Sequence, residues 1–495
     1  MACFVAIDQS TSATKALLFA ADGTLIDRES REHAQHYPQP GWVEHDAEEI
    51  WQNTLAVVRA LLGRHPEKMR ALAGVSLANQ RETVIVFDRK TGRPLHRAIV
   101  WQCRRSEPLC EEHRAAGREP LVRRKTGLTL DPYFSGSKLQ WLVRRDPALA
   151  ASLASGEALA GTIDAWLIFR LTGGRVFATD ATNASRTLLF DIGRLDWDDE
   201  LCAMFEVPRR ALPEVRESTA RFGETTFDGL LAAPVPICGV MGDSQAALFA
   251  HGCFEPGAAK ITFGTGSSLL LNIGAAPRPG ANGVLTALAW VHRGAPVYAH
   301  EGIVISSAST LAWLRDQLRL VESLDNIESL ARAVPDNGGV YLVPAFSGLG
   351  LPYWQPRARA AIVGLSAHSD RRHIVRAALE SIAFQIRDAL EAMRAAAGVP
   401  LLRVHCDGGP TANRFLMQFT ADIAGTELLV AASPDGAALG ALAAGRLGLG
   451  LVASLAELKP AAAPAVFRPA MSAADAARLC AGWRQAVNQV LLPAS

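Results

Sequence analysis

Two aspartates stand where a chain could do proton or metal chemistry. Asp8 closes the apolar run Cys3-Phe4-Val5-Ala6-Ile7, and Asp243 follows the run Val235 to Met241 and Gly242. A carboxylate at the end of a buried strand is held rigidly at a sheet edge, as a general base requires. Taken alone, Asp243 reads first as the cap of a small-residue helix that begins Ser244-Gln245-Ala246-Ala247. Beside Asp8, the polar turn from Gln9 to Thr14 leads through Lys15 into a second apolar run, Ala16 to Phe19. Half a chain later, Ala259 to Phe263, Gly264-Thr265-Gly266-Ser267-Ser268 and Leu269 to Ile273 repeat that pattern. Turns crowded with N–H groups and hydroxyls form anion-binding concavities. Two of them facing one cleft could hold a triphosphate. Asp8 could then orient waters around Mg²⁺, which keeps several waters and needs few carboxylates, or it could simply start the turn.

Three further clusters carry polar side chains into apolar surroundings. Asn79-Gln80-Arg81-Glu82-Thr83 interrupts the runs Ala73–Ala78 and Val84–Phe87. Adjacent opposite charges are usually a surface pair of little value, but between two strands they could hydrogen-bond several hydroxyls. Trp101 could be core or could stack on a ligand. Asp407-Gly408-Gly409-Pro410-Thr411-Ala412-Asn413 is a glycine turn entering a helix from Arg414. Its glycines permit close backbone approach to a ligand, or merely a tight strand-to-helix turn. No Gly-Lys-Ser/Thr and no GxGxxG occurs, which argues against a Walker A loop and a dinucleotide fold.

The elements that must position these groups alternate between strand and helix, as in an α/β architecture with buried sheets. Two strand–turn–strand units half a chain apart predict a duplicated fold, with domains at 1–250 and 251–495. Ile374 to Arg394 shows the apolar spacing of an amphipathic helix, and Asp46 caps a helix opening at Ala47. The segment Ala437–Leu451, with Arg446 and repeated glycines, reads as a packed interior helix rather than a membrane span. The chain has 495 residues, 50 basic against 49 acidic, so no global charge draws it to nucleic acid or an anionic membrane. Its 8 cysteines show no CxxC pair, as expected of reduced, buried thiols. No basic leader precedes the first strand-like run, and a soluble cytoplasmic protein is expected.

Several long strings together resemble the FGGY carbohydrate kinases, most closely the members that phosphorylate glycerol. They include Tyr37-Pro38-Gln39-Pro40-Gly41-Trp42-Val43-Glu44-His45-Asp46, Asn79 to Thr83, Trp101-Gln102-Cys103-Arg104-Arg105 and Asp131-Pro132-Tyr133-Phe134-Ser135-Gly136. Thr182 to Thr187, Leu195 to Asp199, Ala360 to Glu380 and Phe415 to Phe419 extend the match over essentially the whole chain. The resemblance implies a duplicated actin/hexokinase-like (ribonuclease H-like) fold, two domains around a central cleft, with ATP and Mg²⁺ between them. It assigns phosphate contacts to Thr11, Ser12, Lys15, Gly264, Thr265 and Gly266, and the nucleoside side to Ala308, Gly409 and Asn413. It assigns the polyol to Arg81, Glu82, Trp101, Tyr133, Asp243 and Ser244, and the metal to Asp8 (through water) and Asp243. The implied reaction is transfer of the γ-phosphoryl group to a terminal hydroxyl of glycerol or a related short polyol, with Asp243 taking the proton. A homo-oligomer, dimer or tetramer, is expected.

The chain departs from that family pattern at Ser244 and Ser268, which stand where an amide and an aromatic ring close the polyol end. Ala308 and Ala312 replace a Gly and a Gln near the nucleotide, and Lys15 replaces an arginine with a point charge. A four- or five-carbon polyol or a ketose is therefore an alternative acceptor, unless neighbouring residues fill the space. An actin-like ATPase with no small-molecule acceptor is the rival of another class.

Overall fold

The computed structural model describes residues 2–355, 357–458 and 463–491. The apolar run after Met1 becomes β1 (Cys3–Gln9), buried along its whole length. That is the pattern of a central strand covered on both faces. β2 (Ala13–Ala20) and β3 (Leu25–Glu32) continue as an antiparallel meander, and the charged, exposed face of β3 protects the free edge. β4 (Leu72–Asn79) and β5 (Val235–Gly242) add in parallel on the other side of β1, giving the order β5-β4-β1-β2-β3.

The second half repeats this topology. β6 (Ala258–Phe263), β7 (Ser267–Gly274) and β8 (Ala295–Val304) form the meander, and β9 (Arg403–Asp407) and β10 (Leu428–Val430) add in parallel beside β6. The order β10-β9-β6-β7-β8 matches that of the first sheet. The fold is thus the duplicated α/β architecture that the two hairpins predict.

The main helices are α1 (Ala47–Gly63), α2 (Asp243–Ala250), α3 (Ala308–Asp316), α4 (Arg371–Ala397), α5 (Arg414–Ala424) and α6 (Gly436–Gly448). Asp46 accepts from the N–H groups of Glu48 and Glu49, capping α1 as its sequence predicts. α2 springs from the end of β5 and carries the chain into the second sheet.

α6 comes from the second half yet packs on β5, β4 and α2 of the first. Glycines make that approach possible. A Cβ on Gly440 would lie 1.7 Å from the Ala246 carbonyl oxygen, and one on Gly445 would lie 2.5 Å from that of Cys238. The two halves therefore interlock, with the packed helix expected over 437–451 as the clasp. All eight cysteines are unpaired and buried. No helix among the described residues is long and apolar enough to cross a membrane.

Candidate active site

Strand register brings the first set of groups to one sheet edge. Gln9 pairs with Asn79, and Asn79 with Gly242, so Asp8, Arg81-Glu82 and Asp243 all emerge where β1, β4 and β5 end. In parallel sheets that carboxyl edge is where ligands bind.

Asp243 is the first residue of α2 rather than its cap; the N-cap position is Gly242. Its carboxylate is 39% exposed, accepts the Ser244 N–H at 2.6 Å and lies 3.4 Å from Arg81 Nε. The carboxylate is therefore open to a ligand and held in orientation.

Asp8 is buried, and its Oδ1 has no hydrogen-bond partner. Burial pushes its pKa up from 3.8 to about 6 against the pull of Lys15, with the charges of Asp243 and Asp435 adding to the rise. Lys15 Nζ lies 3.6 Å from the other oxygen. An orphaned buried carboxylate oxygen fits a group that orients metal-bound water. Among the described residues no cluster of three or more His, Cys, Asp or Glu side chains forms an all-protein metal cage. Mg²⁺ sites with one or two carboxylates plus phosphate oxygens need none.

The two hairpins present unused donors. Among the described residues the N–H groups of Thr11, Ser12, Thr265 and Gly266 have no protein acceptor. Their carbonyls are tied back: Gln35 Nε2 and the His33 N–H donate to Thr11 O and Ser12 O at 2.8 and 3.1 Å. The Ser307 and Ser309 N–H groups reach Thr265 O at 2.9 and 3.1 Å. Ala308, expected beside the nucleotide, spends its N–H on Gly264 O at 3.0 Å, leaving its methyl as the group able to face a ligand. A Cβ on Gly266 would lie 2.6 Å from Val304 O, so glycine is needed where the turn meets β8.

The glycine turn after β9 joins the second hairpin. Gly408 has φ +97°, and a Cβ there would fall 1.9 Å from Phe263 O, while Gly409 faces open space. Asn413 caps α5 by accepting the Leu416 N–H at 2.9 Å, so its amide N–H groups remain for a ligand.

Arg81 and Glu82 are not the surface pair that adjacent charges usually make. Both are buried, 3.8 Å apart, and each has a stronger partner: Arg81 Nη2 meets Glu301 Oε1 at 2.8 Å, and Arg186 Nε donates to Glu82 Oε1 at 2.7 Å. Arg186 also contacts Glu301, closing a fully buried quartet that spans the two sheets. Burial raises Glu82's pKa despite both arginines, whereas at Glu301 the arginines outweigh burial and hold it below the usual carboxylate range. Glu82 sits at φ +62°, a left-handed conformation that costs about 1–3 kcal/mol in a non-glycine residue. Ser135 Oγ locks it by donating to Glu82 O at 2.9 Å.

Trp101 is half-buried; its ring lies 5.2 Å from that of Tyr133, and its Nε1 donates to Thr11 Oγ1 at 2.9 Å. The aromatic pair is thereby fastened to the first hairpin. Lys138, fully buried, donates to the Tyr133 carbonyl at 2.8 Å and fixes that loop. Ser244 faces Ser268, with the two hydroxyl oxygens 3.0 Å apart.

Arg186, Glu301, Lys138 and Lys260 escape a reading of local motifs. The available signal was a charged residue inside an otherwise buried strand or helix, as Lys260 is in Ala258–Phe263 and Glu301 in Ala295–Val304. Such a charge must be satisfied by something.

Comparison with known proteins gives the same picture. Residues 3–250 match the N-terminal domain, and 259–448 the C-terminal domain, of the FGGY family of carbohydrate kinases. A glycerol kinase of Desulfitobacterium hafniense is 46% identical over 98% of this chain and 99% of its own. One of Rhodospirillum rubrum is 46% identical over 99% of each. The crystal structure of Plasmodium falciparum glycerol kinase with ADP superposes with a TM-score of 0.93 at 34% identity, covering 100% of this chain and 99% of that one. A ligand-bound xylulose kinase from Lactobacillus acidophilus, at 21% identity, shares the fold with a TM-score of 0.88 over 99% of each chain. With both domain models matched in order across the two halves that carry the hairpins, the chain belongs to the FGGY family of carbohydrate kinases.

Proposed function

We propose that the protein transfers the γ-phosphoryl group of ATP to a terminal hydroxyl of glycerol or a closely related short polyol. The observation that carries this reading is the accessible Asp243 carboxylate, 3.4 Å from buried Arg81 and on the helix that joins the two donor-lined halves. Asp243 accepts the hydroxyl proton as the acceptor oxygen bonds to the γ-phosphorus and the bond to ADP's oxygen breaks. Arg81 and Glu82 take neighbouring hydroxyls, and Trp101 and Tyr133 cover the carbon chain. The unused N–H groups of Thr11, Ser12, Thr265 and Gly266, with Lys15, bear the phosphate charge. Gly409 and Asn413 border the nucleoside. Mg²⁺, when bound, supplies charge neutralisation of the phosphates, and Asp8 and Asp243 are the carboxylates that would hold it, Asp8 through water.

The proposal includes two domains at 1–250 and 251–495, a cytoplasmic setting, which the eight unpaired buried cysteines support, and a dimer or tetramer, to be read by light scattering. The functional test is ADP release from MgATP with and without glycerol. Polyol-dependent release, with phosphate recovered on the polyol, is expected. ATP turnover that ignores added polyol would instead favour an actin-like ATPase.

A further inference from the structure

We infer that Ser244 and Ser268 together read an additional acceptor hydroxyl, so that the acceptor is a neutral polyol of four or more carbons. The inference rests on the kinase reading above and deepens it.

Ser268 stands on β7, and its Oγ receives a hydrogen bond from Lys260 Nζ at 2.8 Å. Lys260 is fully buried and gives a second bond, also 2.8 Å, to Thr262 Oγ1. Among the described residues no carboxylate comes within ion-pair distance of it. Lys260 Nζ is the donor in this bond, so the Ser268 oxygen spends a lone pair on it and keeps its own hydrogen. That hydrogen either goes to Ser244 Oγ, 3.0 Å away, or stays free while Ser244 donates back. Either way the pair has one hydroxyl hydrogen left over, together with acceptor lone pairs on Ser244. One donor and one acceptor side by side match an alcohol, which offers the same two functions.

The charge around the pair selects against an acid. Arg81 and Arg186 are already met by Glu82 and Glu301, Arg81 Nε also faces Asp243, and burial lowers the pKa of Lys260. The cations beside the pair are thus matched or pushed toward neutrality, so an acceptor carboxylate finds no free partner there, whereas a neutral hydroxyl needs none. Position completes the argument. Ser244 follows Asp243 directly, while Arg81 and Glu82 stand on the adjoining strand end. A three-carbon polyol has one reacting hydroxyl and two others, which Arg81 and Glu82 take. The serine pair then needs a further carbon.

The experiment is steady-state kinetics with MgATP on glycerol, erythritol, xylitol and glycerate, for the wild type and for Ser244→Ala and Ser268→Ala. In the wild type, kcat/KM for erythritol or xylitol should equal or exceed that for glycerol, and glycerate should not turn over. Each variant should lower the longer-polyol to glycerol ratio by about tenfold, chiefly through KM, because a site built to bond a hydroxyl discriminates by that bond. If Ser268→Ala fails to fold after taking a partner from Lys260, Ser244→Ala, which Lys260 does not touch, gives the same reading. Wild-type preference for glycerol over both longer polyols, an unmoved ratio in Ser244→Ala, or efficient glycerate turnover overturns this inference alone. No ADP release with any polyol, glycerol included, overturns the kinase reading and this inference with it.

Discussion

The two hairpins are built on one backbone plan and carry different chemistry. In the first, the pair next to the turn is Gln9 with Thr14, and the pair behind it is Asp8 with Lys15. In the second, the corresponding pairs are Phe263 with Ser267 and Thr262 with Ser268. The same place thus holds a carboxylate and an ammonium in one half, and two hydroxyls gathered by Lys260 in the other. Both turns tie their carbonyls back and leave N–H groups unused. What differs is what stands behind those donors: an orphaned carboxylate oxygen suited to hydrated metal, against hydroxyls bonded by a buried lysine. The first hairpin is also fastened to the proposed acceptor wall through Trp101 and Thr11. Duplication supplies two anion cradles, and the side chains behind them divide the labour.

In the proposed reaction neither hairpin supplies the base; the connecting helix does. Asp243→Asn keeps shape and hydrogen bonding but cannot take a proton, so kcat should fall about 10²- to 10⁴-fold. Calorimetry should show nucleotide and polyol affinity nearly intact. A variant that retained most of its turnover would reduce Asp243 to a helix-starting residue.

The quartet joining the halves should matter next. Glu301→Gln leaves Arg81 and Arg186 buried with too little negative charge, and breaking such a pair costs about 3–5 kcal/mol. Thermal or denaturant unfolding should register the loss, and KM for the polyol should rise because Arg81 loses its anchor. Unchanged stability would mean that water enters the quartet and screens it.

Thr11→Val and Thr265→Val sharpen the comparison directly. Each removes one hydroxyl that the proposed site directs at phosphate, and a hydrogen bond to a charged group is worth about 1.5–3 kcal/mol, or roughly 10- to 150-fold in affinity. Both should weaken ATP binding. Thr11→Val should also raise the polyol KM, since it removes the acceptor for Trp101 Nε1. Equal effects on the polyol from both variants would deny that the first hairpin alone is coupled to the acceptor wall.

How much of this was legible in the sequence follows from distance along the chain. The hairpins, Asp8, Asp243 and the glycine turn are local patterns, and each sits where a strand ends, so short strings carried them. The asymmetric packing of α6 on the first sheet was legible as a glycine-rich helix, but not as to which half it covers. The quartet was hidden because Arg186 lies 104 residues from Glu82, and its other acid, Glu301, belongs to the other sheet. Lys260 carried a visible anomaly, a cation in a buried strand, without indicating Ser268 as its partner. Asp243 read most simply as a cap, and structure alone shows Gly242 in that role.

The smallest expected effect is a pH dependence that belongs to the first hairpin alone. Burial raises the Asp8 pKa from 3.8 to about 6, and Lys15 offsets part of the rise. The folded protein without ligand therefore holds that proton more tightly than the unfolded chain does. The resulting stabilisation is complete below about pH 4 and is lost as pH rises through about 6, so stability attributable to Asp8 should decline across that window. A site that orients metal-bound water needs the opposite state, the ionised carboxylate. Affinity for MgADP should accordingly rise about tenfold from pH 5 to 7, following the ionised fraction of one acid in that range. Asp8→Asn should flatten both trends, and since the second hairpin has hydroxyls at the equivalent place, Thr262→Val should leave the slope with pH in force. A MgADP affinity that climbs equally in Asp8→Asn would transfer the titration to the nucleotide's own phosphate and remove the asymmetry between the hairpins from the metal's side of the cleft.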